Sequence, residues 1–273
     1  MTLIQSIILG IIQGITEFLP ISSSAHLVLV PYFLNWNIPV EQVFPFDVLV
    51  QLGTLLAVIV YFFKDLINIL KAFLIGLRDQ KARKTLDFRL GLYIIIGTLP
   101  AGIIGFLLDD LVETAFNSPP LTGVFLLVTA AILFIAELLG KRNRSISHMR
   151  WQDALIIGFG QALAIFPGIS RSGATISAGL MRNLDRKTAA RFSFLLSIPI
   201  FIAAGLLSAL DLFEMSNLSE FLPILLVGFI TASVFGYLSI HWLLKFLAKR
   251  SLKPFAIYCL ILGAFTLFFA YVF

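Results

Sequence analysis

Charge is what this 273-residue sequence has least of: only 13% of it is Asp, Glu, Lys or Arg, against 59% hydrophobic residues and a mean hydropathy of +0.98. Soluble domains carry about 25% charged residues, so this scarcity excludes an ordinary water-soluble fold and makes lipid the expected solvent. Cysteine is nearly absent too. The lone Cys259 sits in an apolar run, which excludes an internal disulfide and argues against a thiolate metal site. No Lys or Arg occurs in the first 63 residues, so the basic flank of a secretory signal is missing and the apolar N-terminal stretch is expected to belong to the fold. Neither a P-loop, a dinucleotide-binding glycine pattern, HExxH nor GxSxG occurs, which argues against an ATP-driven pump.

The charge that is present is sharply placed. A net charge of +5 could suggest nucleic acid, but nineteen of the 20 basic residues fall within four short stretches, 64–89, 140–151, 182–191 and 245–253. The other connections carry acids: Glu41; Asp109, Asp110 and Glu113; Asp211, Glu214 and Glu220. This is the positive-inside pattern of a multi-pass protein of an inner membrane, with the basic loops cytoplasmic and no nucleic-acid partner. Apolar runs at 46–63, 90–108, 121–139, 192–210, 221–244 and 254–273 each suffice to cross a bilayer, at roughly 20 residues per span. Each joins a basic loop to an acidic one or to the C-terminus. The stretch 66–77 is either an interfacial helix or a continuation of the span before it.

Two apolar segments do not cross. Segment 152–181 starts and ends at basic loops and is broken by FPGISRSGAT; segment 3–32 lies on the acidic side and is broken by FLPISSSAH. Both read as re-entrant helix–loop–helix units, whose irregular backbone needs protein or a watery cavity around it. At an offset of 148, Gly10, Gln13, Phe18, Ile21, Ser22 and Ser24 meet Gly158, Gln161, Phe166, Ile169, Ser170 and Ser172. Each unit is followed by three spans, and an odd number of crossings inverts the second copy. The expected fold is therefore an all-α integral membrane protein of one domain, with inverted-topology repeats at about 1–140 and 150–273.

Arg171 is the one basic residue outside the four loops. An Arg at the centre of a membrane helix costs about 2.5–3.5 kcal/mol on insertion scales, so it needs a partner or a task. With Ser170, Ser172 and Thr175 it stands at the start of a short helix, where free N–H groups and a guanidinium fork suit phosphate. Alternatively, it pairs with Glu17 simply to hold the repeats together. Gln13 and Glu17 share a helix face at i, i+4. Glu17 could ligate a hard divalent cation, act as a base or pair with Arg171. Ser22, Ser23 and Ser24 precede His26, which in the first turn of a half-helix is a candidate nucleophile or acid–base group. Asp47 and Glu137 read as interfacial, and His148 and His241 as structural.

GIIQGITEFLPISSSAH (10–26) and FPGISRSGATI (166–176) resemble the two signature stretches of the undecaprenyl pyrophosphate phosphatases of the bacitracin-resistance type. FPFDVLVQLGTLLAV (44–58) and RFSFLLSIPI (191–200) are similar to further segments of that family, so the resemblance runs the full length. It implies hydrolysis of the terminal phosphate of C55 isoprenyl diphosphate, recycling the carrier lipid for peptidoglycan synthesis. It also implies functional roles for Glu17, Ser23, His26, Ser170, Arg171 and Thr175, and an active site opening outward. Gln13 stands where many members carry Glu, which leaves Glu17 as the sole acidic ligand for Mg²⁺ or Ca²⁺. Either His26 attacks phosphorus, the first choice, or Ser23 does with His26 as its base. A transporter or flippase for an anionic isoprenyl lipid is the alternative, since inverted repeats with broken helices are also transporter architecture. A homodimer is compatible with the sequence but not required by it.

Overall fold

A computed structural model describes residues 1–108, 118–213 and 218–272. Asp109, Asp110, Glu113 and Glu214 of the acidic connections lie outside the described residues. Within them the chain is helical, with no strand: α1 (Leu3–Phe18), α2 (Ser23–Phe33), α3 (Val40–Tyr61), α4 (Phe63–Gly76), α5 (Leu86–Leu107), α6 (Pro119–Leu139), α7 (Trp151–Leu163), α8 (Arg171–Met181), α9 (Arg186–Phe213), α10 (Leu218–Leu247) and α11 (Lys253–Val272). Six of these, α3, α5, α6, α9, α10 and α11, are long and apolar enough to cross a membrane. A helix satisfies its own backbone, which is why long apolar sequence adopts it in lipid.

Local signals mark the helix starts. Thr2 and Gln5 form a capping box at α1; Thr85 caps α5 by accepting from Phe88 N–H; Ser118 caps α6 ahead of Pro119. The spans begin a few residues before the apolar runs because the polar first turn after such a cap, residues 86–89 in α5, is already helical. The ambiguous stretch 66–77 resolves into a separate helix, α4, set off from α3 at Phe62 (φ −102°, ψ 19°).

Both broken segments take the expected helix–break–helix form, α1/α2 and α7/α8. Their packing partners are exchanged. α1 lies along α10, the middle span of the second half, and α7 lies along α5, the middle span of the first. The contacts hinge on the glycines matched at the offset of 148. A Cβ on Gly10 would meet Gly228 O at 2.8 Å, and one on Gly158 would meet Gly97 O at 2.4 Å. Such close backbone approach is how helices associate without a hydrophobic drive. Gly158→Ala is therefore expected to cost about 1–3 kcal/mol of overpacking, read as a lower unfolding temperature in detergent. Gly102→Ala on the same helix pair should not, because nothing lies within 4 Å of its Cβ position.

The four basic stretches gather at one end of the bundle. Glu137, expected to be interfacial, stands in the last turn of α6 and is enclosed there by protein: it accepts from Arg186 Nε (2.7 Å) and Nη2 (2.7 Å), Arg142 Nη1 (3.0 Å) and Leu252 N–H (2.8 Å). Asp153, fully buried, accepts from Arg144 Nη1 (3.2 Å) and Nη2 (2.6 Å), Arg182 Nε (2.8 Å) and Arg150 N–H (2.8 Å). Burial alone would push the Asp153 carboxyl up, but the hydrogen bonds from Arg144, Arg182 and Arg150 outweigh it and hold the group below the usual carboxylate range. Arg191 pairs with Asp65 at 2.8 Å and ties in the remaining stretch.

Candidate functional site

The two breaks meet in the middle of the bundle. Their backbone groups, lost to helical bonding, are satisfied by side chains. Thr129 on α6 donates to Gly168 O (2.8 Å) and accepts from Ser170 N–H (3.1 Å). Ser172 Oγ donates to Leu19 O at 3.0 Å, and the Cys259 thiol points to Pro20 O at 3.7 Å. Gly168 adopts φ +101°, and a Cβ there would meet Thr122 O at 2.6 Å, so glycine is needed twice over. Ser22 takes φ 69° as the N-cap of α2, with its Oγ facing Ala25 N–H at 3.4 Å.

Between the breaks lies a cavity of about 240 Å³ lined by Glu17, Ser22, Ser23, Ser24, Gln161, Ser170 and Arg171, with Phe201 and Gln51 on its wall. Arg171 is the first residue of α8, and Ser170 is its N-cap, accepting from Gly173 N–H at 3.1 Å. α2 and α8 thus begin at the cavity, and the free N–H groups of a helix start favour an anion.

Arg171 is braced on three sides. Nη2 donates to Glu17 Oε1 at 2.9 Å, Nη1 donates to Ser193 O at 3.2 Å, and the guanidinium carbon lies 4.8 Å from the centre of the Phe201 ring. Its Nε is buried without a hydrogen-bond partner among the described residues. Glu17 is the hub. Its Oε2 accepts from Ser23 Oγ at 2.6 Å and from Gln13 Nε2 at 2.9 Å. The ion pair joins α1 to α8 and so links the two broken segments, which is one of the three roles open to Glu17 from sequence.

Other expected residues are placed differently. His26 does not line the cavity. Its Nδ1 lies 2.7 Å from Ser22 O, and a carbonyl can only accept, so Nδ1 carries a proton. In the neutral ring Nε2 then accepts from the Tyr258 hydroxyl at 2.7 Å, and the two rings stack, with centroids 5.7 Å apart. Thr175 is buried behind Arg171. Its hydroxyl donates to Arg171 O (2.7 Å) and lies 2.6 Å from Ser193 Oγ, so it braces the helix that carries Arg171 instead of lining the cavity. Ser172 also stays off the wall, bonded to Leu19 O. Of the two structural histidines, His148 contacts Ser145 and His241 lies near Tyr61.

Sequence reading did not single out Ser193, Phe201, Thr129 or Tyr258, because each reaches the site from a distant span and carries no local signal. Gln161 was visible only as the counterpart of Gln13. No group of three or more His, Cys, Asp or Glu suited to a metal occurs among the described residues. Gln13 Oε1, however, is buried without a partner beside the Glu17 carboxylate. It is the one unpartnered oxygen of the pair, since the Glu17 oxygens accept from Arg171, Ser23 and Gln13; an amide and a carboxylate oxygen together are the hard donors that suit a cation completing its shell with water and phosphate oxygens. Chemically, the arrangement offers a guanidinium and two helix starts for an anion, with a hydroxyl hydrogen-bonded to a carboxylate beside them.

Relatives share the whole chain. Residues 6–265 match the family described as Bacitracin resistance protein BacA. A protein of Methanosphaera stadtmanae named undecaprenyl-diphosphatase is 44% identical over 274 residues, covering 97% of each chain. Proteins of the same name from Geotalea daltonii (45% identity, 98% of each chain) and Chlorobaculum tepidum (45% identity, 96% of this chain and 95% of that one) are equally similar. With agreement over 97% of each chain and both helix breaks inside the matched region, this chain is a member of the bacitracin resistance protein BacA family.

Proposed function

We propose that this protein hydrolyses undecaprenyl diphosphate to undecaprenyl phosphate and inorganic phosphate, and so returns the carrier lipid to cell-wall synthesis. The observation that carries the reading is the Ser23–Glu17–Arg171 chain of contacts inside one cavity, in a family whose relatives bear that activity in their names. Arg171, Ser170 and the start of α8 take the diphosphate, while Ser22 and the start of α2 face it from the other break. A divalent cation, Mg²⁺ or Ca²⁺, would be held by Glu17 and Gln13 and would offset the charge of the diphosphate.

Ser23 is the better placed of the two nucleophile candidates. Its Oγ attacks the terminal phosphorus while its proton passes to Glu17. The bond from that phosphorus to the bridging oxygen breaks, and the isoprenyl monophosphate leaves with the bridging oxygen. Water then hydrolyses the phosphoserine and restores the hydroxyl. His26 becomes available for attack or acid–base work only when Nε2 gives up Tyr258, so direct attack by His26 needs a rearrangement that Ser23 does not. Catalysis of this kind rests on positioning and charge stabilisation.

Around this site we read residues about 1–140 and 150–273 as inverted repeats of one membrane domain. The exchanged contacts of α1 with α10 and of α7 with α5 support that reading. The basic end is assigned to the cytoplasm of a bacterial inner membrane on the positive-inside pattern, and the cavity is read as opening outward, as the family resemblance implies. The cavity suits a diphosphate head, and the tail would lie along the apolar helix surfaces in lipid.

The test is phosphate release from C55 or farnesyl diphosphate by the detergent-purified protein with millimolar Mg²⁺. One phosphate should appear per monophosphate formed, and chelation should stop it. Binding of the diphosphate without any release would remove the enzyme reading and favour a lipid carrier. With terminal-phosphate label, an acid-stable phosphoserine at Ser23 is expected; an acid-labile phosphohistidine at His26 would instead make His26 the nucleophile.

A further inference from the structure

Gln161 sits near the C-terminal end of α7, is 2% exposed, and lines the cavity with Ser23, Ser170 and Arg171. Neither its Nε2 nor its Oε1 has a hydrogen-bond partner among the described residues. A buried amide with both ends unpaired is costly, and an apolar side chain of the same shape would avoid the cost. Packing therefore does not explain a glutamine at this position.

The repeat shows why the amide is free. Gln13, its counterpart at the offset of 148, donates to Glu17 one helical turn later. The counterpart of Glu17 in the second segment is Ile165, which also lines the cavity and accepts nothing. The second segment has thus kept the amide and lacks the acid that would occupy it. Arg171 Nε, buried and unpartnered in the same cavity, is a second donor in waiting.

We propose that Gln161 contacts the substrate directly: Nε2 donates to a non-bridging phosphate oxygen alongside Arg171, and Oε1 accepts from a water held beside the phosphate. As a neutral donor it binds phosphate without adding charge, and so leaves the Arg171–Glu17 pair unperturbed. This rests on the phosphatase reading of the cavity.

The test uses the full chain in detergent with farnesyl diphosphate and Mg²⁺, and, separately, methylene diphosphonate as a non-hydrolysable probe of binding. Gln161→Met, close in shape but without hydrogen bonds, should raise KM about tenfold and lose the thermal stabilisation given by the diphosphonate. Its ligand-free unfolding temperature should equal or exceed that of the parent, whereas a residue of purely structural value would lower it. Gln161→Glu should be nearly inactive at pH 8 and recover as its carboxyl is protonated toward pH 5.5, relative to the parent at each pH. KM and kcat of Gln161→Met within twofold of the parent would overturn the proposal. If that variant does not purify, an unchanged pH profile in Gln161→Glu overturns it instead. If the parent releases no phosphate, the phosphatase reading fails; diphosphonate stabilisation that is lost in Gln161→Met would still establish the contact.

Discussion

Arg171→Ala is expected to cut phosphate release by about 10²–10³-fold, the usual loss when one preorganised donor to developing negative charge is removed. Two losses combine in it. The guanidinium that faces the cavity disappears, and Glu17, only 6% exposed, is left without its counter-charge. Breaking a buried ion pair from one side costs about 3–5 kcal/mol, and the value here should fall toward the lower end because Ser23 and Gln13 still donate to Glu17. Adding Glu17→Gln to Arg171→Ala should then recover unfolding temperature without recovering activity. Arg171→Lys should stay poor, since a point charge cannot hold Glu17, the Ser193 carbonyl and phosphate at the angles the fork provides. His148→Ala, in an exposed basic loop, should turn over normally. Equal turnover by Arg171→Ala and the parent would remove Arg171 from the chemistry and leave it as a tie between the broken segments.

Glu17→Gln on its own should separate affinity from rate. The amide can still accept from Ser23, so the hydroxyl stays in place, but it cannot take the proton, and a general base contributes typically about 10²–10⁴-fold. Meanwhile Arg171 is freed from its intramolecular partner and a negative charge leaves the cavity. The expected result, at Mg²⁺ high enough to fill the weakened cation site, is a kcat lower by about 10²-fold or more with KM unchanged or reduced. A raised KM with normal kcat would mean that Glu17 holds the cation or orients Arg171 and is not the base.

Much of this site could be read from the residues alone, because lipid makes charge so informative. An Arg and a Glu in the apolar segments 152–181 and 3–32 had few partners but each other, and they meet at 2.9 Å. The helix starts at Ser23 and Arg171 followed from proline and serine punctuation. What sequence could not supply was how far each side chain reaches. Thr175 and Arg171 are one turn apart on one helix face and both contact Ser193, but only the longer Arg171 extends into the cavity. His26 follows Ser23 by three residues, but its ring turns to Tyr258, more than two hundred positions away in the chain. Glu137 and Asp153 show a related limit. Each stands at a helix end, where acids are normally solvated, and each is enclosed by arginines and N–H groups brought in by folding.

Those two carboxylates have a mechanical corollary. Four hydrogen bonds converge on each, and between them they lash stretches 140–151, 182–191 and 245–253 together. Prising that rim apart would strand buried acids, so it behaves as a riveted base plate. A molecule pushing between these helices from that end would first have to break those bonds.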